Sequence, residues 1–81
     1  MDLRQTAAMM GSFDHQERFR AEYWQTKIRY DALHKMCVKY EAGTLDFEPK
    51  SCLNLLQEQL RHMREYLKCL EIRAEIEGIE L

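Results

Sequence analysis

The chain has 81 residues, of which 46% are hydrophobic and 32% charged, with one Pro and three Gly, a balance that favours helices over strands and turns. That length leaves room for one domain with a small core, burying roughly 60–65% of the unfolded surface, so extra stability from a disulfide, a metal or self-association is expected. Twelve basic against fourteen acidic residues give a formal charge of -2, which argues against a nucleic-acid binder held by bulk electrostatics.

Residues 1–11, MDLRQTAAMMG, carry a short apolar face of Leu3, Ala7, Ala8 and Met10. A segment this short is marginal as a lone helix and is expected as a flexible arm or short helix. A single helical-hairpin domain then fills residues 12–81. Its first helix is placed at 12–42, because Asp14 precedes Glu17 by three residues in a capping-box arrangement, with Phe13 at the staple position. From there Phe19, Tyr23, Thr26, Tyr30, Leu33, Cys37 and Tyr40 recur at alternating four- and three-residue steps, which puts them on one stripe. A flanking line of Trp24, Ile28, Ala32 and Met36 widens the apolar face beyond what one partner helix covers.

Gly43 suits a left-handed helix end, and Pro49 keeps Glu48 out of helical geometry, so residues 43–51 are the connection, with Leu45 and Phe47 tucked under it. Ser51 is the expected cap of a second helix at 52–77. Leu53, Leu56, Leu60, Met63, Leu67, Leu70 and Ala74 give that helix an unbroken three-four stripe. Two helices of about 25–29 residues, each ~40 Å long at 1.5 Å per residue and joined by a short link, should lie antiparallel. Cys69, Leu70, Ile72, Ile76 and Ile79 leave an apolar surplus toward the far end, expected to be an interface. A twofold dimer forming a four-helix bundle, or a larger oligomer, is the simplest closure.

Chemistry-bearing patterns are sparse. Cys37, Cys52 and Cys69 are odd in number and isolated, pointing to reduced thiols rather than a disulfide framework. His34 with Cys37, or His62 with Cys69, provides no four-ligand metal set, so neither metal nor cofactor is expected. With no GxSxG, HExxH or glycine-rich phosphate loop, no catalytic residues are assigned and the chain is read as a non-enzyme. No run of eighteen apolar residues or export pattern is seen, so the cytoplasm is the expected compartment, without membrane attachment.

The polar set of most interest is basic. Arg61, Arg64 and Lys68 share a helix face with His62 beside Arg61, Arg73 follows, and Lys27, Arg29 and Tyr30 lie on the first helix, while Trp24, Tyr23 and Tyr66 offer stacking surfaces. Together these are candidate ligands for an anionic nucleotide or an acidic partner surface. The competing reading is a solvated helix face, because Asp31–Lys35, Arg61–Glu65 and Arg73–Glu77 are all i, i+4 ion-pair spacings.

The stretch LLQEQLRHMREYLKCLEIRAEIEGIEL, residues 55–81, with Gln59, Met63, Tyr66, Leu67, Leu70, Arg73, Ala74 and the closing EGIEL, resembles a class of small uncharacterised helical proteins of bacteriophages and prophages. The resemblance covers about a third of the chain and brings no site residues with it. It implies a phage-type accessory protein, acting in the host cytoplasm against host defence by binding a host protein or sequestering a signalling nucleotide. The expectation is thus an all-α helical hairpin, homo-oligomeric and non-enzymatic, with a purely structural scaffold as the alternative and nucleic acid disfavoured as partner.

Overall fold

The computed structural model describes all of residues 1–81 and contains three helices and no strand: α1, Leu3–Met10; α2, His15–Ala42; and α3, Leu53–Glu77. The helices stack in the order α3, α2, α1, with α2 touching both others. The two long helices form the expected antiparallel hairpin, and the molecule is a rod of 43 × 25 × 16 Å.

Within residues 1–11, Leu3–Met10 form a true helix. Asp2 and Gln5 make a reciprocal capping box, in which the Gln5 amide donates to Asp2 Oδ1 at 2.9 Å and the Asp2 amide to Gln5 Oε1 at 2.8 Å. What holds so short a helix is tertiary contact. Thr6 is fully buried, its hydroxyl donating to the Leu3 carbonyl at 2.7 Å. Ala21, about 200° around α2 from both Phe19 and Tyr23, is also fully buried, which places it under α1. Two separate apolar faces on α2 explain the wide stripe read from its sequence.

The entry to α2 differs from the expected capping box. Asp14 Oδ1 accepts from the Gln16 amide at 3.0 Å, but the Asp14 amide donates to Ser12 Oγ at 3.0 Å, leaving Glu17 no amide to reach back to. Phe13 is fully exposed rather than stapled. Its staple partner four residues into the helix would be Arg18, whose guanidinium instead donates to the Ser12 carbonyl at 2.7 Å.

Gly43 ends α2 with φ 76°, and the Thr44 amide closes on the Lys39 carbonyl at 2.9 Å. Leu45 is half-buried and Phe47 remains exposed; both line an open groove with Ala32 and Met36 on the back of α2, beyond the reach of α1. Cys52, not Ser51, is the N-cap of α3, and its side chain makes no capping bond.

The main core lies at the end of the rod away from the connection, where Phe19 and Tyr23 of α2 meet Leu67, Leu70 and Ala74 of α3. Gly78, at φ 69°, reverses the chain so that the Ile79 amide bonds the Ala74 carbonyl at 2.8 Å and the Ile79 side chain drops into this core. Leu70 and Ile79 therefore belong to the inside of one chain, a correction to their expected place in an interface. Arg20 and Trp24 hold the tail, Arg20 Nε donating to the Glu80 carbonyl at 2.7 Å and Trp24 Nε1 to that of Leu81 at 3.3 Å.

Candidate functional site

Between this core and the connection, the groove separating α2 from α3 opens into a cleft of about 550 Å³. Tyr30 and His34 wall it from α2; Asn54, Gln57, Glu58, Arg61 and Arg64 wall it from α3; Leu60 is buried in its floor. Helical geometry alone explains the grouping. Residues four apart share a face, so Tyr30 stands above His34, and the 54, 57, 61, 64 series forms one line on the facing helix.

The Tyr30 and His34 rings are stacked, parallel within 6° with their centroids 6.0 Å apart. Lys27 Nζ lies 5.7 Å from the Tyr30 ring centroid and 3.0 Å from Asp31 Oδ1, extending the wall with a cation. Opposite, Arg61 is shared between two carboxylates, bonding Glu58 tightly through Nη2 and Glu65 Oε1 through Nη1 at 3.2 Å. That bond holds the Glu58 carboxyl below the usual carboxylate range and raises the Arg61 pKa further. Glu58 also reaches His62 Nε2 at 3.2 Å. Arg64 makes no ion pair, so its guanidinium is the uncommitted cation of the cleft. An aromatic wall facing a free guanidinium matches a planar ring attached to an anionic group, while Asn54 and Gln57 lie toward the connection and the Gln57 amide donates to Glu41 Oε1 at 2.8 Å.

The basic and aromatic residues singled out in the sequence fall into three places. Arg61 and Arg64 line the cleft, Lys27 adjoins it, and Lys68 continues the Arg61–Arg64 line one turn beyond. Arg73 lies at the core end, its guanidinium carbon 4.9 Å from the Phe19 ring centroid and its Nε donating to Glu77 Oε2 at 3.0 Å. Trp24 packs edge-on against Tyr23 at 5.2 Å beside the tail. Tyr66 is exposed on the outer face of α3 with Cys69, Ile72 and Ile76. Arg73, Trp24 and Tyr66 are thus not brought to the cleft by one chain. The residues that sequence reading did not assign to it are His34, Asn54, Gln57 and Glu58; the i, i+4 spacing of Tyr30 and His34 is the signal that points to them.

No three His, Cys, Asp or Glu side chains converge as metal ligands. Cys37 is buried, which pushes its thiol pKa up, with Glu41 adding to the effect; His34, one turn away, faces the open cleft. No helix is long and apolar enough to cross a membrane.

A protein-family model described as Sequestin matches residues 14–76, spanning α2, the connection and nearly all of α3. No curated protein and no solved structure matches the chain.

Proposed function

The chain belongs to the Sequestin family, and on that premise we propose that it is a non-enzymatic, self-associating binding protein of phage type, a defence antagonist that sequesters a signalling nucleotide in the α2–α3 cleft. The observation that carries this reading is the placement of the parallel Tyr30 and His34 rings across from the unpaired Arg64. A base stacks on the rings while a phosphate takes Arg64, and Lys27 and Arg61 add positive potential around it. The family name agrees with a sequestering role, and the host cytoplasm is where such a ligand would be met.

The test is isothermal titration of the purified chain with a panel of linear and cyclic mono- and dinucleotides, followed by recovery of the bound compound after heat denaturation. Saturable binding that Arg64→Glu weakens at least tenfold, with the nucleotide recovered unaltered, is the expected result. Recovery of a converted product would make the protein an enzyme. No binding across the panel would move the function to a host protein or to the scaffold alternative, which the exposed Ile72 and Ile76 favour.

A further inference from the structure

The back of α2 carries a seat that α1 fills only in part. Ala21, Ile28 and Ala32 fall within about 40° of one another around the helix, with Met36 next to them. Ala32 stands about 160° around α2 from both Tyr30 and His34, so this line faces away from the cleft. Helix α1 is about 12 Å long and α2 about 42 Å; α1 therefore covers Ala21 and leaves Ala32 exposed and Met36 half-buried. Leu45 and Phe47 of the connection wall the bare stretch, making a groove of about 340 Å³ with Ala32, Lys35, Met36, Lys39 and Asp46. Phe47 is 55% exposed there.

We propose that this groove receives an amphipathic helix of a partner protein, apolar on the face it buries and acidic along its flank. The shape of the occupant follows from α1. Thr6 and Ala21 are both fully buried, which shows how closely a helix rides on a small residue of this face, and Ala32 repeats that seat three turns on. Met10 lines a crevice with His15 and Phe19, so α1 runs back along α2 and its first residues face the groove. A partner helix would lie end to end with α1. The stretch from Ile28 to Lys39 is about 17 Å, room for three helical turns.

The charge of the occupant follows from two lysines. Lys35 and Lys39 stand one turn apart along the groove, and neither makes an ion pair. Asp31, which the sequence sets at ion-pair spacing from Lys35, is taken by Lys27 at 3.0 Å, and Glu41 accepts from Gln57 at 2.8 Å. Asp46 is the single acidic group in the lining, so the rim is net positive. Carboxylates on successive turns of a partner helix would meet both ammonium groups while its apolar face covers Ala32, Met36 and Phe47. Helix α1 of a second copy does not fit, because the only charged residue within Leu3–Met10 is Arg4.

The test is fluorescence anisotropy of two labelled three-turn peptides titrated with the full chain, one with a Leu and Ala face flanked by Glu, the other with every Glu replaced by Lys. The Glu peptide should bind saturably, at least tenfold more tightly than the Lys peptide, and more weakly as salt rises. Lys35→Glu combined with Lys39→Glu should reverse that preference, and Phe47→Ser should weaken the Glu peptide at least fivefold. All three positions are exposed, so the hairpin stays folded, which circular dichroism checks. Backbone amide shifts on adding the Glu peptide should centre on Ala32 and Met36. No saturable binding, equal binding of the two peptides, or shifts centred on the cleft or on the outer face of α3 would overturn the proposal. Binding only to phosphatidylglycerol vesicles would make the groove a lipid surface, and loss of self-association in the double lysine variant would give it to a second copy; either result would overturn it as well.

Discussion

The Tyr23 hydroxyl donates to Glu71 Oε2 across 2.6 Å, a side-chain bond that fixes the register of α2 against α3 beside the core. Tyr23 itself is buried, and burial first, then the Glu71 carboxylate, pushes its pKa up to about 12 from 10.0. The fold therefore keeps its phenol proton where the unfolded chain has lost it. Stabilisation from this residue is complete below pH 10.0 and is lost as pH rises toward about 12, a decline on the order of 1–2 kcal/mol. Urea unfolding between pH 9 and 12 checks the slope. Tyr23→Phe should cost about 1 kcal/mol at neutral pH and flatten the alkaline decline.

The chain reversal at Gly78 yields a second expectation. Gly78 adopts φ 69° with open space around its α-carbon, so Gly78→Ala meets backbone strain rather than a clash, and about 1–2 kcal/mol of stability should be lost. Ile79→Ala removes a core side chain and should cost about 2–4 kcal/mol. If thermal unfolding showed Ile79→Ala to be neutral, Ile79 would not be a core residue.

These two residues also show where sequence reading stops. The hairpin was legible because the Leu53–Ala74 stripe keeps one period for about six turns and Pro49 and Gly43 mark its connection. Period alone could not say that Ile79 turns inward, since a residue past Gly78 no longer obeys helical geometry. Nor could it separate the two faces of α2, because α1 is short and its contact is made by Thr6 and Ala21, small residues that carry little hydrophobic signal. In the cleft, Arg61 and Arg64 stood out by charge and spacing. Which aromatic groups faced them depended on the register of the antiparallel helices, and that register selects Tyr30 and His34 over Trp24 and Tyr66.

Glu58 restrains the cleft's positive charge. Its carboxylate engages Arg61, so an arriving anion must compete for that guanidinium. Glu58→Gln should raise affinity for an anionic nucleotide several-fold, whereas Arg64→Gln should lower it tenfold or more. Acidification points the same way: the Glu58 carboxyl titrates below its ordinary 4.5, so its hold on Arg61 persists above that value and is lost as pH falls through the depressed one. Equal affinities of wild type and Glu58→Gln in parallel titrations would show that Arg61 does not contact the anion.

The N-terminus of α3 is the least finished part of the fold, and it can be improved. Cys52 occupies the cap position with extended backbone angles, φ -71° and ψ 156°, the geometry in which a Ser or Asp side chain reaches the amides of the first turn. Its thiol makes no such bond, and no acidic residue stands in the first turn to meet the helix dipole. Cys52→Asp supplies both an acceptor and a negative charge at an exposed position, so it should stabilise the chain by about 0.5–1.5 kcal/mol and raise the unfolding midpoint by several degrees. Ser51→Ala should change little, because Ser51 lies outside the cap. The reverse pattern in calorimetry, with Ser51→Ala destabilising and Cys52→Asp neutral, would move the start of α3 one residue toward Ser51.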